Sequence, residues 1–245
     1  MDLGRNLGFE ILDKRMVPYR LTFRDMHSTP ALDILVRRGN PITGAPFAPR
    51  DLEPNRVGFI RHHDGEIDCV PMTWVQHVWT NIDVVRNSLP AAERLHVLAA
   101  SVLLETKDGQ FPLSLRSKNV TLYPGYWHVS AAGYVDFEKA RYSGSLLHTV
   151  FAEMNEEINV LPMDIEYVKQ LGVCLQTRPD TAVVEALFCA RAKQTGEHMV
   201  ALSKGARDAF EGTVHLFPKD VILQMCKTEK FVPSAIATIM LALQD

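Results

Sequence analysis

Cysteine is scarce and scattered. The 245-residue chain has four, Cys69, Cys174, Cys189 and Cys226, with no Cys-x-x-Cys pair. Neither a disulfide framework nor a thiolate zinc knuckle is therefore encoded, and buried, reduced thiols are the expected state. Long apolar runs are also missing. No stretch nears the roughly 18 apolar residues of a membrane span, and the opening MDLGRNLGFEILDKRM lacks the apolar run of about 7–15 residues that a secretory leader needs. These two absences predict a soluble, cytoplasmic protein with no membrane partner. Charge of one sign is lacking as well: 26 Lys and Arg stand against 29 Asp and Glu, for a net charge of −3. Without a basic stripe, no nucleic-acid partner is expected, and an anionic ligand would need a local site. The patterns Gly-x-x-x-x-Gly-Lys-Ser/Thr, Gly-x-Gly-x-x-Gly and Gly-x-Ser-x-Gly are absent, which removes the usual support for P-loop, dinucleotide-binding and hydrolase-elbow readings.

What is present is a chain with 47% hydrophobic residues, enough for one large core or two modest ones. In the first part, Ser28-Thr29-Pro30 reads as a helix start, with a hydroxyl cap and Pro at the first helical position. Pro41 to Pro49, followed by Pro54, cannot hold a helix and reads as a connector. Val57–Arg61 and Ile67–Val70 flank His62-His63-Asp64-Gly65, which predicts a β-hairpin. The spacing of Trp74, Val75, Val78 and Trp79 predicts a helix over 73–87.

Beyond His96 the pattern changes. Val97–Leu104 is a continuous apolar run suited to a strand buried on both faces. Lys107-Asp108-Gly109 supplies a turn, and Phe111–Arg116 alternates as a returning strand. Tyr126–Tyr134 is a further strand. Leu146, Leu147, Val150, Phe151 and Met154 mark an apolar helical face ending near Ile158. Strands over 167–175 and 182–190 flank the Arg178-Pro179-Asp180 turn, and a last helix begins near Pro233. Strands, one central helix, more strands and a closing helix predict an α+β or α/β/α sandwich around a mixed sheet.

On the central helix, Glu153, Glu156 and Glu157 fall at i, i+3 and i+4, along one side of the helix. Three like charges so placed repel one another, and a divalent cation would remove that cost. Oxygen-only ligands suit Mg²⁺ or Mn²⁺, which share coordination with waters and substrate phosphates. As the plainer alternative, the same residues are ordinary solvated glutamates on an outer helix face.

The segment Ala152-Glu153-Met154-Asn155-Glu156-Glu157-Ile158-Asn159-Val160 resembles the end of the Nudix box, Arg-Glu-U-x-Glu-Glu-x-Gly-U, where U is aliphatic. Upstream, Thr106-Lys-Asp-Gly109 leading to Arg116-Ser117 is similar to the family's hairpin, and Pro124-Gly125-Tyr-Trp127 with Gly133 to its approach to the box. Phe231-Val-Pro233 resembles the start of its closing helix. The departures are specific. Gly133 stands nineteen residues before Ala152, a longer loop than the family's. Ala152 replaces the Arg that orients the glutamates, and Asn159 replaces the closing Gly, a mild change because Asn tolerates the left-handed conformation.

The resemblance implies a Nudix-type α/β/α sandwich over 95–245 with an N-terminal α+β region over 1–94. The long loop, the missing Arg and the extension resemble the atypical branch that hydrolyses UDP-sugars. In that branch a further Glu-containing strand follows the box, and 208–217 is similar to it. Glu211 is carried over from it as a base or extra ligand. The implied activity is a Mg²⁺-dependent pyrophosphohydrolase that cleaves a nucleoside diphosphate linked to another moiety. Glu153, Glu156 and Glu157 would hold the metal, while Arg116, Lys118 and Gly133 would line the substrate site. UDP-sugars lead as substrates, with ADP-ribose-like compounds and coenzyme A open, as is a homodimer. Trp74, Trp79 and Phe59 are available for stacking on a base, or belong to the core. The alternative is a Nudix fold retained as an inactive ligand-binding or protein-interaction module.

Overall fold

A computed structural model describes residues 9–14, 19–24, 45–81, 95–120, 122–176 and 183–243. In chain order the elements are β1 (Phe9–Asp13), β2 (Arg20–Phe23), β3 (Pro54–His63), β4 (Glu66–Thr73), α1 (Trp74–Asn81), β5 (His96–Glu105), β6 (Phe111–Arg116), β7 (Trp127–His128), β8 (Ala131–Tyr134), α2 (Phe137–Ser143), α3 (Leu147–Ile158), β9 (Ile165–Gln176), β10 (Val183–Ala192), α4 (Gly196–Ser203), β11 (Gly212–Phe217), α5 (Lys219–Thr228) and α6 (Pro233–Leu243). The helix read at Ser28 and the turn at Arg178-Pro179-Asp180 lie outside the described residues, as does the part of the 73–87 helix beyond residue 81. The proline-rich connector is described from residue 45 and carries one 3-10 turn at Pro49–Leu52.

The main sheet is mixed, in the order β1-β9-β10-β5-β3-β4-β2, with β8 also on β5. Strand β10 runs parallel to β5, and β2 parallel to β4. The β3–β4 hairpin turns on Asp64-Gly65, both at positive φ (43° and 83°), which suits the twist of the flanking strands. Strand β5 shows why the apolar run is continuous. Leu98, Ala100, Val102 and Leu104 face a core shared with Val150, Met154 and Ile158 of α3. Leu103 faces a second core with Ala235, Ile236 and Ile239 of α6, and on that side Ser101 lies 3.3 Å from Thr238. A strand with a helix on each face must be apolar at every position. The α+β sandwich around a mixed sheet expected above is thus the observed layering.

Three strand readings need correction. Phe111–Arg116 does not return along β5: it pairs with β11 and β7 in a separate three-stranded sheet. One edge of β5 is taken by β10 and the other by β3 and β8, so no edge is free. Tyr126–Tyr134 is likewise two strands, β7 in the small sheet and β8 in the large one. Ser130 holds the corner between them, its hydroxyl accepting from the Leu104 amide (2.8 Å) and donating to the Pro112 carbonyl (2.7 Å). The segment 208–217 is a strand only from Gly212. Ahead of it the Glu211 amide donates to the Asp208 carbonyl (2.9 Å), closing a turn. The two sheets and α3 thereby enclose a wedge of space at the edge of β8.

Candidate functional site

Helix α3 is held by its apolar face. Val150, Met154 and Ile158 are essentially fully buried, and truncating one such side chain costs about 2–5 kcal/mol. The helix ends at Asn159 with φ 55° and ψ 40°, and the Asn159 amide donates back to the carbonyls of Asn155 and Met154. The left-handed cap is therefore supplied by Asn. With the apolar stripe fixed, the opposite side carries the glutamates toward β8 and the small sheet.

Their environments differ. The Glu153 carboxyl lies against Gly133, where an added Cβ would stand 2.2 Å from it. Only glycine leaves that space. Burial pushes the Glu153 carboxyl up to about 7, with Glu156, Glu211 and Asp208 adding repulsion. Glu157 lines a pocket with Arg116, His128, Asp208 and Glu211. Burial raises its pKa well above the usual carboxylate value, Glu153 and Glu211 raise it further, and Arg116 and a hydrogen bond from the Ala132 amide only partly oppose this. Glu157 keeps some accessible surface because it faces the pocket space. Glu156 stands at the rim, 3.2 Å from the largely exposed Arg207 guanidinium.

Of the residues singled out in the sequence, the fold brings Glu153, Glu156, Glu157, Glu211, Arg116 and Gly133 together. Arg116 ends β6, its Nε–H donating to the Leu122 carbonyl (3.1 Å). Lys118 is exposed in the following turn and does not line the pocket. His128 lines it, with burial and then Arg116 holding the imidazole down to about 3 and hence neutral. His148 is exposed on the first turn of α3. His63 pairs with Asp68 at 3.3 Å, away from the pocket. Trp79 and Phe59 are buried core residues, and the Trp74 ring stacks on His77 at 4.9 Å, so these three are not free stacking platforms.

Asp208 was not among the predicted site residues. Its amide donates to the Glu156 carbonyl (2.8 Å), which ties the turn before β11 to α3. Only tertiary structure reveals that contact.

Among the described residues, no group of three or more His, Cys, Asp or Glu side chains is disposed as a ready metal cage. The donor chemistry nevertheless fits a hard divalent cation: carboxylates only, crowded, partly desolvated, and short of cationic partners.

No protein-family model matches the chain, and no curated protein matches it. Among solved structures, it is similar to the Nudix domain of Shewanella oneidensis NrtR, complexed with ADP-ribose, at 19% identity, covering 66% of this chain and 96% of that one, with a TM-score of 0.46. It is also similar to Tm1382, a putative Nudix hydrolase, at 16% identity, 61% and 73% coverage and a TM-score of 0.46. A MutT protein from Methanosarcina mazei Go1 aligns at 20% identity, 61% and 93% coverage and a TM-score of 0.39.

Proposed function

We propose that the chain is a Nudix-type hydrolase, dependent on Mg²⁺ or Mn²⁺, that cleaves the pyrophosphate of a nucleoside diphosphate derivative, with UDP-sugars the leading substrates. One observation carries the reading: Glu157 and Glu211 line one pocket beside Arg116, with Glu153 as their electrostatic neighbour, and the carboxyls of Glu153 and Glu157 are destabilised as anions by burial and by the surrounding negative charge. Such a cluster costs stability unless a cation joins it.

Glu153 and Glu157 would hold the metal, with Glu156 and Glu211 at its margin. When bound, a divalent cation neutralises phosphate charge and lowers the pKa of water. Arg116 supplies a forked donor for a phosphate oxygen. Glu211, at the pocket wall, would accept a proton from an attacking water. Gly133 keeps the Glu153 carboxyl seated against β8, so its orientation is set before ligand arrives.

The test is release of nucleoside monophosphate and phosphorylated product from UDP-sugars, ADP-ribose and coenzyme A with Mg²⁺, comparing wild type with Glu156→Gln and Glu157→Gln. Turnover by wild type that is lost in Glu157→Gln with folding intact is the expected result. The inactive binding module is the second reading. It is favoured by Ala152 in place of the box Arg, by the tie between Glu156 and Arg207, and by the absence of a ready cage among the described residues. No turnover on any compound, with no metal-dependent rise in Tm, would select it.

A further inference from the structure

Arg56 of β3 packs against two aromatic rings. Its guanidinium carbon sits over the Trp74 ring at 5.6 Å and over the Tyr134 ring at 5.2 Å. The imidazole of His77 braces both rings, stacked on Trp74 at 4.9 Å and edge-on to Tyr134 at 4.8 Å. Rings that cover a guanidinium's face leave its N–H edge as the part able to bind, and that edge donates in its own plane. The Arg56 Nε is buried and, among the described residues, meets no acceptor. Leaving a buried donor without a partner is costly, so an unfilled edge needs a reason.

The neighbourhood supplies one. Burial lowers the Arg56 pKa, and Tyr134, Asp136 and Glu153 only partly oppose this, so one glutamate of the candidate site is among the groups that act on this cation. Strand β8 links the two places: the Ala132 amide bonds Glu157, Gly133 accommodates Glu153, and Tyr134 meets Arg56. His77, buried beside Arg56 and held to about 3, adds no competing positive charge at neutral pH. We propose that Arg56, fixed by Trp74 and Tyr134, is a second oxyanion-binding site that takes a phosphate group of the ligand. The proposal deepens the pyrophosphohydrolase reading and rests on it for the ligand class, a compound that carries phosphate groups. A lysine would keep the charge but lose the in-plane fork.

Arginine Nε–H resonances in ¹H–¹⁵N correlation spectra read this site without metal or turnover. The Arg56 signal is assigned by its loss in Arg56→Lys, whose fold is checked by the remaining amide spectrum. On titrating inorganic phosphate into the full chain, the Arg56 Nε–H signal is expected to shift and saturate. No shift at phosphate concentrations that saturate Arg116 would overturn the site and make Arg56 a packing residue. If a substrate is found, Arg56→Lys is expected to raise KM about tenfold, the equivalent of about 1.4 kcal/mol, with kcat nearly unchanged. An unchanged KM would also count against the site. A saturating Arg56 shift in a protein with no turnover would leave this site standing while the hydrolase reading failed.

Discussion

Asp68 and Glu153 are carboxylates in opposite electrostatic settings. Asp68 on β4 has no exposed surface, yet it is paired with two cations, Arg24 at 2.8 Å and Arg61 at 2.7 Å, and with the His63 imidazole at 3.3 Å. Burial opposes ionisation there, but those hydrogen bonds win and hold the carboxyl down to about 2. Glu153 is pushed up to about 7 by burial first and then by Glu156, Glu211 and Asp208 around it. The same fold therefore pairs one carboxylate with cations through its Oδ2 and leaves another cluster short of positive charge. A structural ion pair is closed by protein side chains, whereas a site that admits a cation and a phosphate must stay open.

The difference breaks most sharply at Glu157. Glu157→Gln removes a charge from the most crowded position, and turnover is expected to fall about a hundredfold or more, in line with losing one preorganised electrostatic group. The same substitution relieves repulsion, so the metal-free protein should melt at a higher temperature than wild type while losing its stabilisation by Mg²⁺. A variant that melts lower and still responds fully to Mg²⁺ would place the charge deficit elsewhere.

Gly133→Ala tests geometry without touching charge. The new methyl would stand 2.2 Å from the flexible end of Glu153, so the carboxyl must move while the strand can stay. Activity should drop about tenfold, since small displacements of a positioned group are costly, with only a modest change in Tm. Wild-type activity in this variant would show that the seat of Glu153 does not matter.

The helix bearing these residues was legible because Leu147, Val150, Met154 and Ile158 repeat with helical spacing, and β5 because two-sided burial demands an unbroken apolar run. Helices α2, α4 and α5 were not, being short segments rich in polar residues whose burial comes from neighbours. Glu153, Glu156 and Glu157 could be read from local spacing alone. Asp208 and Arg56 could not: each reaches the site through a register and a turn that only the assembled sheets define. The split of β7 from β8 was hidden for the same reason, since Ser130 turns the chain through contacts to Leu104 and Pro112.

The two carboxylates also differ in how stability depends on pH. In the metal-free protein Glu153 holds its proton up to about 7, whereas the unfolded chain releases it near 4.3. Between those values the folded state binds more protons, so its stability falls as pH rises from about 4.5 to 7 and is flat above. Saturating Mg²⁺ should flatten that slope, because the bound cation favours the anion. Melting curves across this range, with EDTA or with Mg²⁺, measure it directly, and a slope unaffected by the metal would contradict the assignment of Glu153 as a ligand.

Asp68 should respond in the other direction and by the smallest amount. Its folded pKa of about 2 lies below the unfolded value of about 3.9, so its contribution is complete above about pH 4 and is lost as pH falls toward 2. The partners are substantially exposed, Arg24 at 49% and Arg61 at 62%, and water and salt screen such pairs to about 1 kcal/mol or less. Asp68→Asn should therefore lower Tm by only a few degrees at neutral pH, converge on wild type at pH 2, and leave Mg²⁺ stabilisation and turnover unchanged, because β4 presents this group away from the glutamate pocket. A loss of metal response in Asp68→Asn would mean that the two carboxylate settings are coupled through the sheet, and that the closed ion pair helps hold open the site it does not touch.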